Sequence, residues 1–199
     1  MQTGTGVNIL HNEFRDIRQG GPNHTDNIQM VGNSTGTVIR GNWVHLTSPG
    51  TTQGIAAYDE LRGALIEDNV IDIYRAWGIE VYSDDGSTVR HNTLVYHGPN
   101  CYGNGHCGLI DINRKSQDDA GRGTIVTDNI TTAITVTNGS SVAARHHNLV
   151  RQSPATGDLT GTPIFTGGPD PSTYAGYQLA ARSPGNNVAS DGTDIGITP

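Results

Sequence analysis

The chain contains few apolar side chains and hardly any lysine. Hydrophobic residues make up 34% of its 199 residues and aromatic ones 6%, whereas 27 residues are glycine. This is little apolar material for a helical bundle, but it is normal for a fold with a thin core and many turns. The net charge is −7, and the 12 basic residues, of which only Lys115 is lysine, are dispersed. The sequence therefore predicts no nucleic-acid partner and no binding to an anionic membrane surface.

Long apolar stretches are also missing. No run approaches the roughly 20 residues of a membrane-spanning helix. Residues 1–20 lack the apolar segment of a secretory signal peptide. The sequence therefore gives no sign of a membrane anchor.

Cysteine is scarce, and its two copies lie close together. Cys101 and Cys107 bracket a Gly-rich loop. This spacing favours a local disulfide, which would imply an oxidising compartment. Two reduced thiols, or a metal site with His106, are the alternatives.

Asparagine recurs in one sequence frame along most of the chain. Most copies have an apolar residue three positions before the Asn and another two positions after it, although Arg145 takes the first place in the last copy. Repeated short strands that turn at an Asn predict a β-solenoid, in which each amide bonds to its neighbours along the stack. The six copies are Asn12, Asn42, Asn69, Asn92, Asn129 and Asn148.

Other residues near these turns also receive structural interpretations. His11, His91 and His147 directly precede ladder asparagines, which favours a role in the turn. Residues two positions before successive asparagines alternate in charge, and this pattern predicts a surface ion ladder formed by Arg40, Glu67 and Arg90.

A second repeated strand lies between successive Asn strands, at residues 26–30, 54–58, 78–82 and 108–112. Aligning these segments gives an inward column of Ile28, Ile55, Ile79 and Ile110. It also gives an outward column of Gln29, Ala56, Glu80 and Asp111, provided that the fourth strand is shifted by one residue. We expect an all-β parallel solenoid of about five to six coils.

The repeats predict one domain over residues 1–199, with coils from about 7 to 150. The tail, 151–199, is irregular and rich in Pro and Gly, and we expect it to run back over the solenoid as a cap. Strand material begins at Val7 with no amphipathic helix before it, although solenoid ends need caps. We therefore expect a segment of a longer multidomain protein, in which case the missing signal peptide says nothing about export.

The Asn-turn coils, the segment HTDNIQ at 24–29 and the tail pattern from Tyr177 to Gly196 together resemble right-handed parallel β-helix proteins of the pectate-lyase-like superfamily. The resemblance implies an extended polysaccharide lying across the strand faces, but it does not imply catalysis. Of the polygalacturonase signatures only Asp84-Asp85 matches, and it falls at a turn before Gly86.

In size, fold and missing cap the chain also resembles the β-helix carbohydrate-binding modules of family 89, which are attached to xylan-degrading enzymes. That resemblance implies a secreted, extracellular, monomeric domain that binds polysaccharide and is covalently linked to a catalytic domain. It implies no cofactor.

The outward face of the second strands combines rings with carboxylates and amides, as sugar sites do. We expect its carbohydrate contacts to be Tyr58, Trp77, Glu80, Tyr82, Asp111, Asn113 and Arg114. The alternative for Tyr58 and Tyr82 is an aromatic ladder that only stabilises the stack.

Glu80 and Asp111 are expected on adjacent coils, about 5 Å apart. Three arrangements would relieve their repulsion: a Ca²⁺ site, a shared proton at a separation suited to a retaining glycosidase, or neutralisation by Arg114 and Lys115. The second would make Glu80, Asp111, Lys115 and Arg114 catalytic residues of a polysaccharide lyase or glycoside hydrolase, although Lys115 in a polar insertion also fits a solvated loop lysine.

The sequence favours a non-catalytic carbohydrate-binding domain for an extended plant cell-wall polysaccharide, with xylan or another hemicellulose as the first ligand to try. The second hypothesis is a lyase or glycoside hydrolase acting on an acidic polysaccharide of the pectin or alginate type. The third is a structural adhesin or tail-fibre segment.

Overall fold

The computed structural model describes residues 4–21, 25–47, 52–74, 77–97, 108–115 and 118–198, and it is an all-β parallel solenoid. Three sheets, called A, B and C in the order in which the chain meets them, run along the stack, and their strands pair in parallel. Sheets A and B contain six strands each and sheet C contains five, which confirms the predicted five to six coils. Cys101, Cys107, His24 and His106 lie outside the described residues.

Each of the first five coils contributes one short strand to each sheet, and the last coil contributes described strands to sheets A and B. Sheet A consists of Asn8–Leu10, Val38–Arg40, Leu65–Glu67, Thr88–Arg90, Thr124–Thr127 and Val142–His146. Sheet B consists of Glu13–Arg15, Trp43–His45, Val70–Ile73, Thr93–Tyr96, Ile130–Thr131 and Leu149–Val150. Sheet C consists of Asp26–Met30, Gln53–Ala57, Trp77–Tyr82, Leu109–Asn113 and Ala133–Val136. A short pair joins Ser34–Thr35 to Leu61–Arg62, and a 3₁₀ turn spans Tyr174–Tyr177.

The ladder asparagines form the turn between sheets A and B. The side-chain amide of Asn69 donates to Oδ1 of Asn92 at 2.9 Å, and its backbone N–H donates to the same oxygen at 3.0 Å. The other steps of the ladder repeat this pattern, and Asn42, Asn69, Asn92, Asn129 and Asn148 are fully buried. The ladder therefore satisfies buried polar groups that would otherwise destabilise the stack, as the sequence predicts.

The histidines and charged residues beside the ladder also take their predicted places. His11, His91 and His147 adopt positive φ angles of 53°, 52° and 55°, the conformation that the turn requires. Glu67 accepts from Nε of Arg40 at 2.6 Å and from Nε of Arg90 at 2.5 Å, which confirms the ion ladder.

The core consists of inward columns that follow the stack. Ile28, Ile55, Ile79 and Ile110 are paired in register and at most 4% exposed, and Ile39, Ile66, Val89 and Val126 form a matching column on sheet A. Alternation along each strand places these side chains on one face, where stacking buries them.

The start of the tail pairs with the last coil, where Leu159 lies opposite Leu149 and Asp158 accepts from Asn148. The rest of the tail packs along the outer face of sheet B. Phe165, Tyr177, Leu179 and Ile195 form a second apolar cluster with residues of sheet B that include Ile130. The tail thus runs back over the solenoid, as expected, from the last coil to Asp68, which accepts from Thr198 at 3.1 Å. Within the part of the chain that the structure describes, no helix has the length and apolarity to span a membrane.

Candidate functional site

Register brings Glu80 and Asp111 together on the outer face of sheet C. Glu80 pairs with Ala56 on one side and with Asp111 on the other, and Asp111 pairs with Thr135. The pairing also places Tyr82 opposite Asn113. The one-residue shift that the sequence alignment needed is therefore correct, and the two carboxylates lie on neighbouring coils.

Tyrosine hydroxyls bind the Glu80 carboxylate from two sides. Tyr58 donates to Oε2 at 2.7 Å, and the hydroxyl of Tyr82 lies 3.1 Å from Oε1. The two rings lean on each other, with centroids 4.9 Å apart and planes 46° apart. The tyrosines thus form an aromatic pair whose polar ends are tied to one buried carboxyl group.

Asp111 receives hydrogen bonds from three side chains. Thr135 donates to Oδ1 at 2.6 Å, while Asn113 and Tyr82 lie 3.1 and 3.0 Å from Oδ2. These contacts hold the Asp111 side chain in place beside Glu80.

The Tyr82 hydroxyl lies between the two carboxyl groups. The Tyr82 hydroxyl has a single hydrogen, yet its oxygen lies within hydrogen-bond distance of both Glu80 and Asp111. Both contacts are satisfied when protonated Glu80 donates to Tyr82 and Tyr82 donates to Asp111. Burial, with smaller contributions from nearby Asp26 and Asp111, raises the pKa of Glu80 to about 7, although the hydrogen bonds from Tyr58 and Tyr82 act in the opposite direction. Glu80 therefore holds this proton below about pH 7.

Part of this face is accessible, but Tyr58 and both carboxyl groups are buried. Glu80 is 3% exposed and Asp111 is 6% exposed, whereas Trp77, Tyr82 and Asn113 are partly exposed. Burial and the neighbouring Glu80 raise the pKa of the Tyr58 and Tyr82 hydroxyls well above the usual value. These hydroxyls therefore stay protonated and act as donors that fix the rings.

The expected neutralisation of the acidic pair by Arg114 or Lys115 is wrong. The Nζ of Lys115 lies 2.5 Å from Oδ1 of Asp59 and 5.1 Å from the centroid of the Tyr58 ring. Arg114 is exposed, and its backbone N–H donates to Asn113. Lys115 therefore lies at the edge of the tyrosine pair and is paired with Asp59.

A calcium ion at Glu80 and Asp111 would have to displace protein donors. All four carboxylate oxygens already lie within 3.1 Å of Tyr58, Tyr82, Asn113 or Thr135. Within the described ranges no cluster of three or more His, Cys, Asp or Glu side chains is placed to bind a metal ion.

Sequence reasoning missed a cleft on the outer face of sheet B. The cleft has a volume of about 480 Å³ and is lined by His45, Asp72, Tyr74 and His97 together with residues of the tail. The repeat contains a signal for these residues. His45 and Asp72 each lie three residues after a ladder asparagine, and Tyr74 and His97 each lie five residues after one.

Comparison with known proteins adds no relative: no protein-family model, no curated protein and no solved structure matches this chain.

Proposed function

We propose that this chain binds an extended plant cell-wall polysaccharide on the outer face of sheet C without cleaving it. Xylan or a related hemicellulose is the first ligand to test. Such ligands are met outside the cell, where the domain would hold a linked catalytic domain against its substrate.

The fixed tyrosine pair is the observation that supports this proposal. Sugar rings stack their C–H faces on aromatic rings, and the stacking loses least entropy when the rings are held in place beforehand. Glu80 and Asp111 hold the hydroxyls of Tyr58 and Tyr82 from below. Tyr82 is partly exposed and lies beside Asn113, whose amide suits sugar hydroxyls.

The shape of the stack also suits an extended ligand. Equivalent positions on successive coils repeat at about 4.8 Å, so a polymer can contact several coils in turn. Trp77 and Tyr82 lie on one strand, and Asn113 lies on the next, with exposed Arg114 directly after it. A polymer that follows the stack would therefore meet Tyr82 and Asn113 in turn, whereas Trp77 lies at the other end of the Tyr82 strand.

A glycoside hydrolase is the second candidate, and the state of Glu80 favours it. A carboxyl group with a pKa of about 7 can act as a general acid near neutral pH. Asp111 lies on the adjacent coil, a spacing that suits a retaining mechanism. Against it, both carboxyl groups are buried beneath the tyrosines.

Affinity electrophoresis combined with product assays tests the proposal. Wild-type protein, Tyr82→Ala and Ile125→Ala are run through gels containing xylan, glucomannan or polygalacturonate, and digests are assayed for reducing and unsaturated ends. Ile125 is exposed on sheet A and serves as the control. We expect xylan to retard the wild type and Ile125→Ala, and Tyr82→Ala to bind about tenfold more weakly, because one stacking ring is lost.

Each other outcome selects a different function. Release of new chain ends that Asp111→Asn abolishes would contradict the binding proposal and establish an enzyme. Retardation of Tyr82→Ala equal to that of the wild type would remove the sheet C face from the binding site. No retardation by any polysaccharide would favour a structural adhesin or fibre segment.

A further inference from the structure

The cleft on sheet B is built from both the solenoid and the tail. Its floor is formed by outward side chains of four successive coils, and Asp170, Pro171, Ser172 and Tyr177 of the tail form its other wall. Its volume of about 480 Å³ lies within the range of small-ligand sites, roughly 300–1,000 Å³. The cleft is therefore large enough for a ligand, and it exists only where the tail crosses the sheet.

Aromatic rings line the cleft in two fixed pairs. Trp43 stacks on His45, with centroids 3.8 Å apart and planes 10° apart, and Tyr177 lies at its edge at 6.5 Å. Tyr74 and His97 form the second pair at 5.4 Å. All four rings of these two pairs are partly exposed. They offer flat apolar faces whose positions are set before any ligand arrives.

Polar side chains also line the cleft, and hydrogen bonds or ion pairs to neighbouring residues hold them in place. Nε2 of His97 lies 2.6 Å from Oδ1 of Asp72, whose other oxygen accepts from the hydroxyl of Tyr177. Nε2 of His45 lies 2.8 Å from Oε1 of Glu13, which is half exposed. The cleft thus combines ring faces with fixed hydrogen-bonding groups, which is the combination that a saccharide needs.

The charges and the backbone narrow the class of ligand. Three carboxylates, Glu13, Asp72 and Asp170, line the cleft together with Arg15 and two histidines, so an anionic ligand would meet repulsion. A peptide that binds by adding a strand would need a free sheet edge. The strands Trp43–His45 and Val70–Ile73 are paired on both sides, so the cleft offers a face instead of an edge.

We infer that the sheet B cleft is a second carbohydrate site, which takes a short segment of a neutral oligosaccharide between the Trp43–His45 and Tyr74–His97 ring pairs. This goes beyond the proposed function, which places binding on sheet C. Two sites on different sheets make the domain bivalent, so that one molecule can hold two polysaccharide chains or two stretches of one chain.

Isothermal titration calorimetry with xylohexaose, cellohexaose and hexagalacturonate tests this inference. The variants are Tyr74→Ala, which removes a ring from the cleft, and Tyr82→Ala, which removes one from sheet C. A third variant, Ser172→Trp, fills the cleft from an exposed tail position without removing a ring contact. Circular dichroism melting checks that each variant is folded.

We expect the wild type to bind a neutral hexasaccharide at two sites. Tyr74→Ala and Ser172→Trp should each weaken one site about tenfold and leave the other unchanged, and the combination with Tyr82→Ala should weaken both. Hexagalacturonate should bind more weakly than the neutral probes.

The variants separate this inference from the proposed function. A single site that only Tyr82→Ala weakens would overturn the sheet B site and leave sheet C standing. A single site that only Tyr74→Ala and Ser172→Trp weaken would support the sheet B site and remove the sheet C proposal. Binding unchanged in Tyr74→Ala and Ser172→Trp, tighter binding of hexagalacturonate, or no binding of any probe would overturn the inference.

Discussion

Glu80 is the residue whose environment departs most from what its sequence position suggests. A surface strand would leave an outward glutamate in water, but Tyr58 and Tyr82 cover it and bind its carboxyl group. Burial disfavours the charged form, so the pKa rises to about 7. The same contacts that fix the tyrosine rings therefore keep a proton on Glu80.

Stability should therefore depend on pH through Glu80 in a defined direction. The folded protein binds this proton more tightly than the unfolded chain, where the pKa is near 4.5, so ionisation of Glu80 lowers the free energy of unfolding progressively between about pH 4.5 and pH 7. Glu80→Gln keeps the shape and cannot ionise. We expect it to be about 2–3 kcal/mol more stable than the wild type at about pH 8, and equally stable at about pH 4.

Urea unfolding at both pH values measures the Glu80 effect. Glu67→Gln is the matched control, because Glu67 is also buried but accepts from Arg40 and Arg90. That change should destabilise the protein at about pH 8. A Glu80→Gln variant less stable than the wild type at about pH 8 would contradict the protonated state assigned to Glu80.

At the scale of elements, the Asn ladder sets the register of the two faces that we propose as binding sites. The amide of Asn92 donates to Asn129 and to backbone carbonyls, and its oxygen accepts from Asn69. The groups that bond to Asn92 are buried, so water cannot replace these hydrogen bonds when the Asn92 side chain is removed.

Asn92→Ala should destabilise the protein by about 3–5 kcal/mol, because several buried donors and acceptors lose their partners at once. Asn12→Ala, at the exposed end of the same ladder, should have an effect of about 1 kcal/mol or less. Chemical denaturation of both variants checks this prediction. Equal effects at the two positions would show that the ladder does not act through burial.

The tail is a second element, and an ion pair fastens it to sheet B. Asp72 lies 2.6 Å from Nε2 of His97, and Asp170 of the tail lies 4.0 Å from its Nδ1. The hydrogen bond that His97 donates to Asp72 raises the pKa of His97, and the charges of Asp72 and Asp170 raise it further, against the effect of partial burial. The added stability is complete below the unfolded pKa, near 6.5, and is lost as the pH rises through the higher folded value.

His97→Gln should therefore remove a stabilisation that is larger in mild acid than in mild base. Urea unfolding of wild type and variant at about pH 5.5 and about pH 9 measures the difference. A loss of equal size at both pH values would show that His97 acts by packing alone.

The repeat explains what could be predicted from sequence at this scale. Inward columns and the pairing of Glu80 with Asp111 follow from the spacing of the Asn frame, because parallel stacking transmits register from coil to coil. The pairing of Lys115 with Asp59 depends on which way long side chains turn at the end of a strand, which periodicity does not encode. The sheet B cleft depends on contacts between the tail and the solenoid, such as the one between Tyr177 and Asp72, which are 105 residues apart in the sequence. The tail has no repeat, so these contacts could not be predicted from periodicity.

At the scale of the whole molecule, the three sheets are used differently. The outer face of sheet A carries the Arg40–Glu67–Arg90 ladder and the exposed Ile125. Sheet B is crossed by the tail, which leaves the ring-lined cleft beside it, and sheet C presents the tyrosine pair. Sheets B and C therefore hold the aromatic surfaces that our proposals assign to polysaccharide.

Carbene footprinting with and without xylohexaose, read by mass spectrometry, tests the sheet C site most directly. The measurement reports which side chains a ligand covers in the folded, unmutated protein, so it does not depend on how a variant folds. We predict that labelling of Tyr82 and Trp77 falls when the ligand binds, while labelling of Ile125 on sheet A is unchanged. Bound xylohexaose with undiminished labelling of Tyr82 and Trp77 would contradict the proposal that sheet C binds polysaccharide.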